Sequence, residues 1–213
     1  MPAPRLSFSI AGIEADLAAA APTLRLRLRI EAEAEEAIRG LGLMVRVRIA
    51  AGRRGYDPAE SERLGELFGP VEQWGRSLGA VPWTEAALNV GPFTHATVVD
   101  VPLPCTYDFE VAAAKYLSAL HGGDVPLELL FSGTLFYSAP DGRLQVAMIP
   151  WDHEATARMP VSVWHQAVEA AFPGTAWLRV RRDVFARLQA HRSRNGLSTW
   201  EETLESLLEA AEG

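Results

Sequence analysis

Residues 101–151 read VPLPCTYDFEVAAAKYLSALHGGDVPLELLFSGTLFYSAPDGRLQVAMIPW. Short apolar runs alternate there with Gly, Pro and Asp residues, which are typical of turns between strands. Pro140, Asp141 and Gly142 predict a turn that joins strands at residues 125–137 and 143–149 into a hairpin. The stretch therefore indicates antiparallel β structure, and it contains no catalytic or cofactor motif.

Two earlier segments show the strand signal more strictly. Leucine or isoleucine occupies every second position of residues 24–30, with arginine between them, and residues 43–49 repeat the alternation. Further strand patterns at residues 6–10, 94–103 and 105–111 bring the total to about seven. This number of short strands, with turn signals between them, is typical of a β-sandwich.

Helical patterns interrupt and follow the strands. Asp57 before Pro58 predicts a capped helix start, and a helical insertion is expected near residues 57–78. The next stretch, from Gly79 to Pro92, is interpreted as a loop. Helical spacing returns after Trp151, and we expect the region 152–213 to consist of helices packed on the sandwich.

The predicted fold is therefore α+β: an antiparallel β-sandwich of about seven strands with a mid-chain helical insertion and C-terminal helices. Nothing in the sequence marks a linker, so residues 1–213 are expected to form a single domain. The sandwich core is assigned to residues 1–151.

The charge, the cysteine count and the length of apolar runs limit the classes of function that this protein can have. The 213 residues carry a net charge of −7, which argues against non-specific nucleic-acid binding, because that rests on basic groups that neutralise phosphates. Cys105 is the one cysteine, so an internal disulfide is excluded and a reducing compartment is expected. No apolar run of membrane-spanning length occurs. We therefore expect a cytoplasmic protein without a membrane span.

The arginine rows are the first candidate site. If the strands at 24–30 and 43–49 were neighbours, their arginines would share one face of a sheet and could dock an acidic protein. The alternative is a solvated face with local ion pairs, which contribute little. Trp83, in the expected loop, is a further candidate contact. The predicted partner-binding residues are Arg25, Arg27, Arg29, Arg46, Arg48 and Trp83.

A metal site is the second candidate. Asp152 and Glu154 share one side of an extended segment, and His165 and Glu169 lie one helical turn apart. Together the four residues would supply ligands for a small metal-dependent hydrolase. The close Cys and His spacing of structural metal sites is missing, so the sequence favours a protein without a cofactor.

Several segments, namely CTYDFEVAAAKYLSAL, VPLELLFSGTLFY, the IPW that begins at Ile149, RRGYDP and the terminal TWEETLESLL, resemble an uncharacterised bacterial family. The resemblance extends over the full length of the chain, and the family it indicates is typical of GC-rich actinobacteria. It implies a gene neighbourhood often shared with uptake-type nickel–iron hydrogenases, and it carries no catalytic residue onto this chain. The expected function is that of a non-enzymatic accessory or binding protein, whose partner would be a hydrogenase subunit or maturation factor.

Overall fold

Seven strands and six helices follow one another in a computed structural model that describes residues 3–33, 37–105, 111–175 and 180–212. The strands are β1 (Arg5–Ala15), β2 (Thr23–Glu33), β3 (Ile38–Ile49), β4 (Val81–Val90), β5 (Ala96–Pro104), β6 (Asp124–Ser138) and β7 (Leu144–Pro160). The helices are α1 (Pro58–Phe68), α2 (Trp74–Ser77), α3 (Ala112–Ala119), α4 (Val161–Ala171), α5 (Arg182–Asn195) and α6 (Trp200–Glu212).

The strands form two antiparallel sheets. One has the order β1-β2-β5 and the other the order β4-β3-β6-β7. All the pairings are antiparallel, as expected for strands joined by hairpins and short crossovers. The predicted α+β sandwich is therefore confirmed.

The core lies between the two sheets and is built by the alternating strands. Leu24, Leu26, Leu28 and Ile30 of β2 are completely buried, and the inward residues of β3 join the same apolar cluster. Burial of each such side chain contributes about 1.5–3 kcal/mol. Because a one-residue slip would turn all of these side chains outward, the alternation also determines the register.

The helical insertion lies where the sequence predicts it, between β3 and β4. Asp57 caps α1: its Oδ1 accepts a hydrogen bond of 2.8 Å from the backbone N–H of Glu60. The Glu60 side chain accepts from the Asp57 N–H in return, and Pro58 occupies the first turn. Leu64 and Phe68 of α1 are buried in the core cluster. The prediction of the insertion is confirmed.

The prediction of a loop at residues 79–92 is wrong. Its central part is β4, which pairs with β3 and buries Val81, Ala86 and Val90. The pairing contains an irregularity beside Val47, so the apolar positions of β4 do not keep a simple period of two. The predicted strand at 105–111 lies mainly outside the described residues.

The sandwich also extends further than expected. Strand β7 continues to Pro160, so the boundary at residue 151 is wrong and residues 152–160 are not helical. Its inward residues there are His153, Ala155, Ala157 and Met159, and a histidine with two alanines gives only a weak apolar alternation.

The chain divides into two compact units, Met1–Trp177 and Leu178–Gly213. In the second unit, α5 ends at Gly196 in the left-handed conformation, and the Phe185 and Trp200 rings lie 5.1 Å apart between centroids. Thr199 caps α6 by accepting from the Glu202 N–H at 3.1 Å. The single-domain organisation stays a prediction. No helix in the described ranges is long and apolar enough to cross a membrane.

The backbone of β3 approaches the backbone of β6 unusually closely at Gly133. Gly133 has φ of 148°, and a Cβ atom built on it would lie 2.0 Å from the carbonyl oxygen of Gly42. Only glycine avoids both the strained conformation and the overlap. Beside this position, the β6–β7 register moves from Phe131–His153 to Gly133–Ile149, so residues 150–152 form a bulge in β7.

We expect Gly133→Ala to destabilise the sandwich by about 3 kcal/mol, because the strain and the overlap both have to be relieved. Urea unfolding followed by tryptophan fluorescence measures this change. Gly12→Ala is the matched control, since Gly12 also lies at a strand irregularity but has no atom within 4 Å of the added Cβ. Equal stability of the two variants would contradict this account of Gly133.

Candidate functional site

The two arginine rows lie in different sheets. Strand β2 pairs with β1 and β5, whereas β3 pairs with β4 and β6. Since the alternate residues of both strands are buried between the sheets, the rows project from opposite outer faces of the sandwich. The expectation that they share one face is therefore wrong, because it depended on β2 and β3 being neighbours.

Acidic residues accompany the row on β2. The Arg25 guanidinium lies 3.6 Å from Glu14 and 3.7 Å from Asp16, and Arg29 lies 2.8 Å from Glu31. Arg27 stands directly opposite Asp100 in the β2–β5 register. This face therefore matches the alternative of a solvated surface with local ion pairs.

The row on β3 is partly paired. Arg46 forms an ion pair with Glu85 of β4. Arg48 is half-buried and lies opposite Glu128 of β6, whose carboxylate pairs with Arg53 at 3.1 Å.

Trp83, expected to be exposed in a loop, instead lies in β4, half-buried and packed against the core. It is poorly placed to contact a partner.

The four predicted metal ligands are not brought together. Asp152 and Glu154 lie exposed on β7, whereas the other two lie on α4. The Nε2 atom of His165 lies 3.3 Å from the Leu120 carbonyl oxygen, and Glu169 accepts a hydrogen bond from the Gly174 N–H at 3.0 Å. No three of these four residues have their ligand atoms within 4.8 Å of one another.

A different group of possible ligands meets at the start of α1. Ligand atoms of Asp57, Glu60 and His121 lie within 4.8 Å of one another. The buried Glu60 carboxylate already accepts 2.7 Å and 3.0 Å hydrogen bonds, from the Arg54 guanidinium and the backbone N–H of His121. Arg54 also donates to the Gly122 carbonyl at 2.7 Å. Because the guanidinium already neutralises Glu60, the arrangement ties the helical insertion to residues 121–122 and does not favour a cation.

Two tyrosines complete this polar centre. The hydroxyls of Tyr56 and Tyr116 lie 2.8 Å apart, and Tyr56 also donates to the Ala51 carbonyl oxygen at 2.7 Å. Burial raises the pKa of both hydroxyls, so both stay protonated at neutral pH. They act as hydrogen-bonding links between the insertion and α3.

The hairpin of β6 and β7 carries the most unusual surface. On the outer face of the four-stranded sheet, Phe136 stands opposite Val146, and Thr134 opposite Met148. Large apolar side chains are exposed here and on the adjoining strand β3. We call these residues the hairpin face; they are Met44 (36% exposed), Phe136 (37%), Leu144 (62%), Val146 (59%) and Met148 (72%), and Trp151 (86%) in the neighbouring bulge of β7 is counted with them.

The sequence contains a signal for this face that strand prediction alone does not use. Residues 144–149 read LQVAMI, in which all three outward positions (144, 146 and 148) are apolar, as are the inward Ala147 and Ile149. A strand with one solvated face alternates apolar and polar residues. The outward positions Leu144, Val146 and Met148 therefore mark a surface that is suited to contact with another molecule.

Cys105 is not a nucleophile in this environment. Its side chain is buried beside β5, and burial raises the pKa of the thiol from 9.0 to about 12. The thiol donates a weak hydrogen bond to the Leu103 carbonyl oxygen at 3.7 Å. At neutral pH the reactive thiolate is therefore suppressed.

We expect Glu60→Gln to destabilise the protein by about 3–5 kcal/mol, because it leaves the buried Arg54 without its counter-charge. Glu66→Gln is the matched control on the same helix: Glu66 pairs with Lys115 but is 74% exposed, and loss of such a pair costs at most about 1 kcal/mol. Thermal unfolding distinguishes the two. If Glu60→Gln unfolded like Glu66→Gln, the Arg54–Glu60 pair would not hold the insertion in place.

We expect Cys105 to react with a thiol reagent at pH 8 only as fast as the protein unfolds, because the buried group is protonated well above that pH. Iodoacetamide labelling followed by mass spectrometry measures the rate. The urea-unfolded protein is the control and should label rapidly. Rapid labelling of the native protein would show that the thiol is accessible and ionised.

The similarity of this chain to the two solved structures described here is low. No curated protein matches the chain. The solution structure of "a putative late embryogenesis abundant (LEA) protein" is 12% identical with a TM-score of 0.35, and the match covers 75% of this chain and 72% of that one. A β-glucosidase from Kluyveromyces marxianus is 10% identical with a TM-score of 0.26, and the match covers 74% of this chain but 15% of the enzyme. Neither likeness carries an inference about function. A family model matches residues 3–213, and the chain belongs to DUF6084, a family of unknown function.

Proposed function

We propose that this chain is a non-enzymatic binding protein that contacts a protein partner through the hairpin face. The exposure of its six large apolar side chains is the observation that carries the proposal. Single exposed apolar residues are ordinary on a protein surface, whereas several large ones gathered on one side of a sheet are typical of an interaction site.

The chemistry of the hairpin face suits a protein partner. Trp151 projects from the bulge at residues 150–152, and tryptophan is the residue type most enriched among those that dominate binding energy. Met44 and Met148 have flexible, polarisable side chains that adapt to an opposing surface. The site therefore combines one large anchor with an adaptable apolar surround.

Charged residues adjoin the hairpin face on one side. Arg46 and Arg48 follow Met44 along β3 and project from the same outer face of the sheet. An apolar centre with a polar rim is the usual anatomy of a protein interface. In this proposal Arg46 and Arg48 orient the partner, whereas Arg25, Arg27 and Arg29 lie on the opposite face and take no part.

The first partner to test is a hydrogenase subunit or maturation factor. This choice rests on the family resemblance in the sequence and on no contact in the structure. The proposed compartment is the cytoplasm, because a single buried thiol is suited to reducing conditions. The corresponding role is that of an accessory protein in the assembly of such an enzyme.

The test begins with affinity purification of the tagged chain from its own host and mass spectrometry of the stoichiometric partner. The dissociation constant for that purified partner is then measured for each variant. We expect Trp151→Ala to weaken binding about 30-fold, the loss typical of an interface anchor. It should leave thermal unfolding unchanged, because Trp151 is 86% exposed.

Charge reversal separates the two arginine rows. Arg46→Glu should weaken binding, since Arg46 borders the hairpin face, whereas Arg27→Glu on the opposite face is the matched control and should bind like the wild type. If Trp151→Ala bound normally and Arg27→Glu did not, the partner would contact the three-stranded sheet, and the proposal would fail.

A further inference from the structure

We infer that the cleft between β1 and the bulge of β7 binds a small zwitterion with an apolar body, namely an amino acid with an aliphatic side chain. This small-molecule site is additional to the protein contact proposed above. Three features of the cleft carry the inference: its apolar floor, the bulge at its edge, and two opposite charges at its wall that have no partner in the described part of the chain.

The cleft lies between an edge strand of one sheet and an edge strand of the other. Strands β1 and β7 are the end members of their sheets, and a cavity of 330 Å³ lies between the start of β1 and the bulge. Its apolar floor is formed by Leu6, Leu135 and Ile149, all of which are buried. Ligand pockets have volumes of about 300–1,000 Å³ and mostly apolar walls with a few polar groups. The volume therefore suits a molecule of the size of an amino acid.

The bulge brings two successive residues of β7 to the same cleft. Asp152 and His153 both line it, although successive residues of a regular strand point to opposite sides. Bulges redirect side chains in this way and are over-represented next to active sites. The ring of His153 packs edge-on against Phe8 at 5.5 Å, and Phe8 stacks on Phe131 at 4.3 Å. These contacts hold the polar wall of the cleft in position.

Opposite charges line the cleft from its two sides. Arg5 belongs to β1 and Asp152 belongs to β7. Neither side chain forms an ion pair or a hydrogen bond with another residue that the structure describes. An anion alone would be repelled by Asp152. A metal ion would be repelled by Arg5 and would find only two ligands, Asp152 and His153. A molecule that carries both a carboxylate and an ammonium group pairs with both charges.

The dimensions of the cleft permit both charge contacts at once. A cavity of 330 Å³ has the volume of a sphere about 9 Å across. The ammonium and carboxylate groups of an amino acid lie about 3 Å apart, and a charge-assisted hydrogen bond adds about 2.8 Å at each end. The two spans agree, so the ligand would bridge Arg5 and Asp152. Its aliphatic side chain would then lie on the apolar floor, where removal from water is favourable.

The experiment is an NMR titration of the isotopically labelled full chain with three matched probes. These are L-leucine, isocaproate, which lacks the ammonium group, and isopentylamine, which lacks the carboxylate. We expect L-leucine to shift the amide signals of Leu6, Ile149 and His153 with a dissociation constant of about 1 mM or below. Each of the other probes should bind about tenfold more weakly, because it loses one charge-assisted hydrogen bond.

Two variants separate the charges. Arg5→Gln should weaken the binding of L-leucine and isocaproate about tenfold without weakening that of isopentylamine, whereas Asp152→Asn should weaken L-leucine and isopentylamine but not isocaproate. Arg143→Gln is the matched control, because Arg143 is an exposed arginine near the β6–β7 turn that does not line the cleft. All three replaced side chains are exposed, so each variant should keep the amide spectrum of the folded protein.

The absence of saturable shifts at the cleft, at tenfold the expected dissociation constant of L-leucine, would overturn the inference. Equal binding of the three probes would show that the cleft selects apolar shape alone, and equal binding by Arg5→Gln and Arg143→Gln would show that Arg5 takes no part; either result overturns it as well. None of these outcomes affects the proposed function, since partner binding through the hairpin face is measured separately with Trp151→Ala.

Discussion

The burial of the inward side chains of β2 and β3 between the two sheets is the constraint on which the rest of the structure depends. Leu24, Leu26 and Leu28 are completely buried, and the inward residues of β3 occupy the same cluster. Because side chains alternate along a strand, this burial forces the intervening arginines outward. The two arginine rows are thus a consequence of core formation, and their opposite directions follow from β2 and β3 belonging to opposite sheets.

The buried polar centre and the exposed apolar face play contrasting roles. Arg54 and Glu60 have the residue types of a functional site, yet their hydrogen bonds hold the helical insertion against residues 121–122. The residues of the hairpin face belong to types that usually fill a core, yet Trp151 and Met148 are largely exposed. An ionic group that already forms its hydrogen bonds within the chain has few donors or acceptors free for a ligand. Covering exposed apolar surface, in contrast, is favourable because it removes that surface from water.

Local patterns predicted the strands at 24–30 and 43–49, the capped start of α1 and the final hairpin, because each depends on neighbours within a few residues. They did not predict β4, whose apolar positions are disturbed by an irregular pairing with β3. They also ended the sandwich at residue 151, because three of the four inward residues of the following stretch are histidine or alanine. The predicted metal ligands do not come together, for another reason. Side chains near in sequence were assigned to one site, whereas in the fold His165 and Glu169 form hydrogen bonds with separate partners.

By itself, the sequence determined the class of fold, the alternation that builds the core, the position of the insertion and the absence of an internal disulfide. These properties follow from residue type and spacing, which act over one strand or one helical turn. Only the tertiary structure decided which strands are neighbours, which arginines meet acids and which apolar residues stay exposed. Those outcomes depend on pairing between distant segments: Met44 and Met148 share one surface only because β3, β6 and β7 adjoin in the same sheet.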